Sequence, residues 1–458
     1  MPRGPRNLRI SCDGDGLTAF GGVALLHAFF RRLGLRGQVQ RWVRFSQRNA
    51  DYSVGEMIEA LLYPLLLGLG RVETTEPLRR NGVFQYLAGL PRYPEATTLR
   101  RFLGRLATRG RDKLLTLHDH WRRQMLDRPR PVRSVILDLD TTVLTVYGRQ
   151  EGAAVGFNPK KRGRPSYVPL LGFEGQTGDA LAGSYHPGNT HPSTIVEPLL
   201  EEAFGRLPGG AGRVRVRADG AFYDHAFIEQ IEARRAFYVV VARVTPPLRN
   251  RLGGLRYRRI AAGVWAGEFP YCPLDWRRPR RFVVIRRPVP EEPSVQLHLF
   301  QMRGYTYQLF VTNLALKALN LWRFYNRRAT AELIIRELKD AYALGKIPTQ
   351  DFAANEMFFQ LVLLAYNLLN WFKRLCAPPA WQRSTLGRLR QRLLVVPAHL
   401  TRPGGVPTLR IAPGYVHGQD FVDIRQRIQR LQPFADLDHR EPPAKTKKRE
   451  PNMRQPKK

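Results

Sequence analysis

A helical region followed by a mixed α/β layer is the fold class that the 458-residue sequence predicts. Three observations predict it. Apolar residues recur at three- and four-residue spacing from residue 17 to about residue 126, the period of an amphipathic helix. Period-two alternation takes over at SVILDLDTTVLTVYG. Strand-like runs then alternate with helix-like ones, as layered α/β proteins require. At about 150 residues per domain the chain has room for about three folded units.

In the first region, LTAFGGVALLHAFFRRLGL and SVGEMIEALLYPLLLGLG read as helices separated by turn signals. PEATTLRRFLGRLATRGRDKLL reads as a helix with Thr97 or Thr98 at its cap and Arg100, Arg101, Arg105 and Arg109 outward. Two readings stand open for it: a helix-turn-helix-like element in a DNA groove, or an ordinary amphipathic helix with a solvated basic face. After SVILDLDTT come the strands PSYVPLLGFEG and GDALAGSYHPG, then the alternation VEPLLEEAFGRL (helix), GRVRVRADG (strand), HAFIEQIEARR (helix) and AFYVVVARV (strand). Strand-like runs return from about Thr245 to Asn320, and helix resumes at Arg323. Met357 to Phe372 is the most apolar stretch. It is shorter than a bilayer span and carries Gln360, Asn367 and Asn370, so it reads as a buried core helix, and no membrane partner is expected. From Pro378 the chain is basic and interrupted by Pro and Gly, with a hairpin in RLLVVPAHLTRPGGVPTLRIA. The last residues, 441–458, read as a low-complexity basic tail, disordered by composition.

The charge balance, 74 Lys and Arg against 38 Asp and Glu, gives +36. Such an excess repels itself unless a polyanion neutralises it, so nucleic acid is the expected partner. Three distant cysteines offer neither a disulfide framework nor a zinc site and fit a reducing cytoplasm. The N-terminus has no apolar h-region, so no secretory signal is expected.

Two acids end apolar strands, where burying an unpaired carboxylate is costly. In VILDLDTT, period-two geometry places Asp138, Asp140 and Thr142 on one face and Leu137 and Leu139 on the other. In RVRVRADG, Arg217 and Asp219 share a face opposite Val214 and Val216. Both acids lie where a strand gives way to a loop, the edge at which open α/β sheets bind ligands. A third segment, YNRRATAELIIRELKD, puts Arg328, Glu332, Arg336 and Lys339 within about an 80° arc of one helical face, with Tyr325 beside them. By spacing alone that is either a surface ion-pair ladder or a carboxylate among phosphate-binding groups.

Tyr325, Arg328, Glu332 and Lys339 follow Y-(2)-R-(3)-E-(6)-K. With DLDTT and RADGAFY in that order, the chain resembles a DDE transposase of bacterial insertion sequences over roughly residues 131 to 375. The resemblance implies an RNase H-like catalytic core split into residues 131–244 and 321–377 by a β-rich insertion at 245–320. Outside that span, the helical region at 1–130 is expected to bind DNA and residues 378–440 to form a basic C-terminal region. Asp140, Asp219 and Glu332 are implied as catalytic metal ligands for two Mg²⁺ or Mn²⁺ ions, hard cations that take carboxylate oxygens. Asp138 is an alternative first ligand; Asp140 is favoured because Thr142 follows it by two residues. Tyr325, Arg328 and Lys339 are implied as contacts to DNA phosphates, with Arg336 on the same helical face.

Lys160, Lys161, Arg162 and Arg164 form a basic loop that either tracks a phosphate backbone or is merely solvated. Trp265 and Trp276 are candidates for stacking on an unpaired base or for core packing, and His186 and His191 lack a nearby third metal ligand. The expected activity is cut-and-paste transposition by metal-dependent strand cleavage and strand transfer. Its expected partners are terminal inverted repeats, target DNA and a second copy of the chain, at the nucleoid in the cytoplasm. A catalytically inactive DNA-binding derivative and a structure-selective nuclease on the same core are the alternatives.

Overall fold

Residues 10–46, 51–127, 134–207, 211–289 and 300–437 are described by the computed structural model. The basic tail at 441–458 lies outside them.

The N-terminal third forms the helices Val23–Leu33, Leu35–Trp42, Val54–Leu67, Ala96–Arg109 and Arg111–Asp127, with shorter turns between. The third begins with a reciprocal capping box between Ser53 and Glu56, which satisfies two otherwise unpartnered backbone donors. Ala96–Arg109 begins after Glu95, without a side-chain cap, so the expected Thr97 or Thr98 cap is not used. Their apolar stripes share a core with the long helix Phe352–Cys376, in which Leu26, Phe29, Leu62 and Phe102 meet Leu361 and Phe372.

The main sheet runs in the spatial order Arg258–Ala261, Val264–Tyr271, Arg280–Pro288, Tyr305–Thr312, Phe237–Val241, Arg213–Ala218, Ser134–Thr141, Leu170–Glu174, Ala180–Ser184, with Phe300–Met302 paired beside Tyr305–Thr312. Ser134–Thr141, Arg213–Ala218 and Phe237–Val241 are mutually parallel, and Leu170–Glu174 runs against Ser134–Thr141. The strands between 258 and 312 join this sheet through Phe310–Thr312 against Val239–Val241. The segment expected as a β-rich insertion thus extends the main sheet instead of forming one of its own.

Two helical layers cover the sheet around the acid-bearing strand. Leu137 and Leu139 pack with Leu199, Leu200, Phe227 and Ile228 from the helices Pro192–Gly205 and His225–Ala233. Because neighbouring side chains alternate across a strand, Asp138 and Asp140 face the other layer, where the helix Ala329–Asp340 lies. The edge strand Ala180–Ser184 is capped by the polar residues of Phe352–Cys376. Asn367 exchanges hydrogen bonds of 2.8 and 2.9 Å with the Ala180 backbone, and Gln360 donates to the Gly183 carbonyl at 2.8 Å. An amide side chain there stands in for a missing strand neighbour and satisfies buried backbone groups. This helix is long and apolar enough to cross a membrane by composition, yet most of it is buried inside the protein.

PSYVPLLGFEG divides at Val168 and Pro169. Leu170–Glu174 enters the main sheet, while Pro165–Tyr167 forms a small sheet with Leu144–Thr145 and Ala154–Val155. The expected C-terminal hairpin is Ala398–Thr401 with Thr408–Ile411, and Leu17–Thr18 adds a third strand to it. A helix at Gly418–Arg430, unforeseen from sequence, packs on the N-terminal helices. Ile424 and Ile428 are its buried residues, too thin a stripe to read beside so many charges.

Candidate active site

Asp140 sits at the end of Ser134–Thr141, Asp219 just after Arg213–Ala218, and Glu332 in the first turn of Ala329–Asp340. Parallel pairing in register brings the first two strand ends together, with Leu139 opposite Ala218. The Asp219 carboxylate also accepts from the Ala221 N–H at 3.0 Å, so it starts the turn and faces the site as well.

One guanidinium joins all three acids. Arg328 lies 3.0 Å from Asp140, 3.2 Å from Glu332 and 3.8 Å from Asp219. It also donates to the Leu139 carbonyl from Nε at 3.3 Å and Nη2 at 3.1 Å. The carboxylate side chains open progressively to solvent, from 11% exposed at Asp140 to 38% at Asp219 and 61% at Glu332. Asp140 is the floor of the site and Glu332 its rim.

The Asp140 carboxyl is raised to about 6: burial raises it most, Arg328 pulls against that, and Asp219 and Glu332 add to the rise. Burial works against the charge of Arg328, but Asp140, Tyr325, Asp219 and Glu332 outweigh it and raise the guanidinium above its usual value.

Asp138, on the same strand face, is engaged differently. Arg217, directly opposite in the sheet register, holds both of its oxygens at 2.5 and 2.6 Å. Arg217 also donates to the Phe324 carbonyl at 2.7 Å and stands over the Phe324 ring. Asp138 thus has a dedicated partner, whereas Asp140 shares Arg328 with two other acids. The signal for this pair was in the sequence, since Asp138 and Arg217 each precede a site acid by two residues.

The remaining predicted residues divide between the site and its surroundings. Tyr325 is buried with its ring 4.8 Å from Phe310, close enough to the acids that its hydroxyl, raised to about 12 mainly by burial, also feels their charge. Lys339 donates to the Val143 carbonyl at 3.1 Å, and its ammonium is lowered by burial and by the nearby Lys160. Arg336 is exposed on the same helix. Lys160, Lys161, Arg162 and Arg164 are all exposed, on a loop anchored by Asn158, whose amide donates to Thr145 at 3.0 Å and accepts from the Lys161 N–H at 3.1 Å.

Arg100 and Arg101 are not brought to this cluster. Arg100 pairs with Glu73, and both arginines line a cleft of about 540 Å³ with Gln150, Pro348 and Asp351. Trp276 is buried against Tyr223, His225 and Arg280, and Trp265 packs edge-on to Tyr305. His186 bonds the Ser184 hydroxyl at 2.8 Å.

The three carboxylates supply only oxygen donors, the set a hard divalent cation prefers. Among the described residues no His, Cys, Asp and Glu are gathered tightly enough to form a ready metal cage. Arg328 stands where the three acids meet, and the oxygen-only donor set they present fits such an ion.

No curated protein matches the chain. A cryo-EM structure of the piggyBac transposase synaptic complex with hairpin DNA is similar at a TM-score of 0.48 and 12% identity, over 81% of this chain and 79% of that one. The family model described as Transposase DDE domain group 1 matches residues 2–433, and the chain therefore belongs to that transposase family.

Proposed function

We propose that this transposase is a cut-and-paste DDE enzyme that cleaves DNA at the ends of its own element and transfers the freed 3′-hydroxyl into target DNA. The observation that carries the reading is the meeting of Asp140, Asp219 and Glu332 around one guanidinium, from two adjacent strand ends and one helix. The strand order around them supports an RNase H-like core: five neighbouring strands, with Ser134–Thr141 central and only Leu170–Glu174 reversed.

Asp140, Asp219 and Glu332 would hold two Mg²⁺ or Mn²⁺ ions. Bound there, the ions supply an activated attacking oxygen and a stabilised leaving oxygen. The chain's own residues bind and orient the DNA. The exposed Lys160, Lys161, Arg162, Arg164 and Arg336 offer charges to phosphates, and Lys339 is near enough to Lys160 and Asp140 to feel the charge of both. Tyr325 and Arg328, tied into the protein, shape the pocket wall from which any phosphate contact is made. The +36 charge suits a duplex-binding protein that works at the nucleoid, and a second copy is expected in the DNA complex, one for each element end.

The test is cleavage of DNA carrying the repeats that flank the gene. Mg²⁺ or Mn²⁺ should support strand cleavage, Ca²⁺ should support binding with little cleavage, and Glu332→Ala should bind without cutting. Cleavage at full rate in EDTA, or by Glu332→Ala, overturns the proposal. Binding without cleavage by the native protein in both Mg²⁺ and Mn²⁺ favours the inactive derivative.

A further inference from the structure

The small sheet next to the site presents two large rings to solvent. Phe157 is 82% exposed and Tyr147 is 73% exposed. Single exposed apolar residues are ordinary; two aromatic rings at one end of a sheet, set among cations, are not.

The sheet register explains their placement. Leu144–Thr145 and Ala154–Val155 flank the strand Pro165–Tyr167 and both run antiparallel to it. Val155 pairs with Pro165, and the Val146 N–H bonds the Pro165 carbonyl at 2.9 Å. Tyr147 and Phe157 therefore both lie just past the Pro165 end, and the loop carrying Lys160, Lys161, Arg162 and Arg164 returns to the same end. The opposite end of the sheet leads into the Asp140 strand and Leu170–Glu174.

The presentation is rigid. Gly156 lies so close to the Gly188 carbonyl that a Cβ would collide with it, and Asn158 is buried with its amide tied to Thr145 and the Lys161 N–H. Phe157, held between two fixed neighbours, is directed outward by the fold.

We infer that this end of the small sheet is a stacking platform for unpaired DNA bases, on the sheet whose other end leads into the Asp140 strand. The inference rests on the transposase reading and deepens it. Cations alone would serve any duplex through its phosphates. Exposed rings gain free energy only from base faces that are not already stacked in a duplex, while the four cations hold the backbone of the same strand. Trp265 and Trp276 pack within the protein, and Tyr147 and Phe157 are the rings left open to a base.

The experiment compares a blunt duplex with the same duplex bearing a single-stranded extension, both in Ca²⁺, for the native chain, Tyr147→Ala/Phe157→Ala and Phe157→Trp. The double variant should lose at least about fivefold in affinity for the extended DNA, with the blunt duplex unchanged and Phe157→Trp at native affinity. A 2-aminopurine in the extension should be quenched by the native chain and not by the double variant. Equal losses on both DNAs, no loss on either, or an altered oligomeric state of the double variant overturns the inference. The extended-DNA result is independent of cleavage, so normal cutting by Glu332→Ala would overturn the catalytic assignment and leave the platform result standing.

Discussion

Two carboxylates two residues apart on one strand face have opposite surroundings. Asp138 and Arg217 form a closed pair, register neighbours with both oxygens held and both side chains almost fully buried. Asp140 is also buried, but its cation is divided among three acids and a backbone carbonyl. A closed pair with both oxygens engaged and both side chains buried adds rigidity and is shut off from a metal or substrate. A shared, opening cluster leaves carboxylate oxygens that a cation can recruit. The same residue type on the same strand thus serves the fold at one position and offers chemistry at the next.

The largest expected effect separates the two acids by activity. Asp140→Asn, Asp219→Asn and Glu332→Gln should each lower strand cleavage by about a thousandfold or more while DNA binding persists. Folded Asp138→Asn should retain far more cleavage than Asp140→Asn; the reverse ranking, measured on purified folded protein, would break the comparison.

Stability should rank them the other way. Asp138→Ala leaves Arg217 buried and unpaired, at a cost of about 3–5 kcal/mol, whereas Asp140→Ala leaves Arg328 with Asp219 and Glu332 and should cost much less. The double replacement Asp138→Leu/Arg217→Met should recover most of the loss in a denaturant titration, because it removes both desolvated charges together.

A pH titration of stability in EDTA sharpens the contrast. Burial raises the folded-state Asp140 carboxyl to about 6 against an ordinary 3.8. Between those values the folded chain holds a proton that the unfolded chain has lost, so stability should fall as pH rises from about 4 to 6 and then level off. The shift corresponds to about 3 kcal/mol, and Asp140→Asn should flatten that window. A window of the same size in Asp140→Asn would assign the proton elsewhere.

The smallest effect distinguishes the two arginines. Lysine keeps the charge and loses the planar fork. Arg217→Lys should cost about 1–3 kcal/mol, because both forked bonds to Asp138 are buried. Arg328→Lys should cost less in stability, since its contacts lead towards the open rim at Glu332. Parallel thermal melts measure the difference.

Much of this arrangement follows from local sequence. Period-two alternation in VILDLDTT places both acids opposite Leu137 and Leu139, and RADG puts Asp219 at a turn, because strand geometry alone dictates alternation and turn residues. Glu332, Arg336 and Lys339 share the helix Ala329–Asp340 as the helical repeat predicts, but Tyr325 belongs to the preceding helix Ala318–Asn326 and Arg328 caps the second helix after a turn, a break that periodicity did not show. What helical spacing could not supply was the direction of Arg328. On an isolated helix it reads as one cation of a surface ladder; in the fold it turns inward to the Leu139 carbonyl and the acids. Register is the deciding link, since only strand pairing sets Arg217 against Asp138 and leaves Asp140 to Arg328.

By itself, then, the sequence determined the helical beginning, the alternation that follows, the face each acid occupies and the excess of positive charge, all consequences of short-range periodicity and composition. Tertiary structure decided the rest. It joined the strands between 258 and 312 to the main sheet, fastened Leu17–Thr18 to a hairpin near residue 400, seated Gln360 and Asn367 on an edge strand and turned Phe157 outward. The first three are pairings between residues far apart in the chain, and the last depends on a close approach of Gly156 to Gly188, where periodicity carries no information. Such pairings are selected because buried backbone groups and buried charges must find partners wherever the fold provides them.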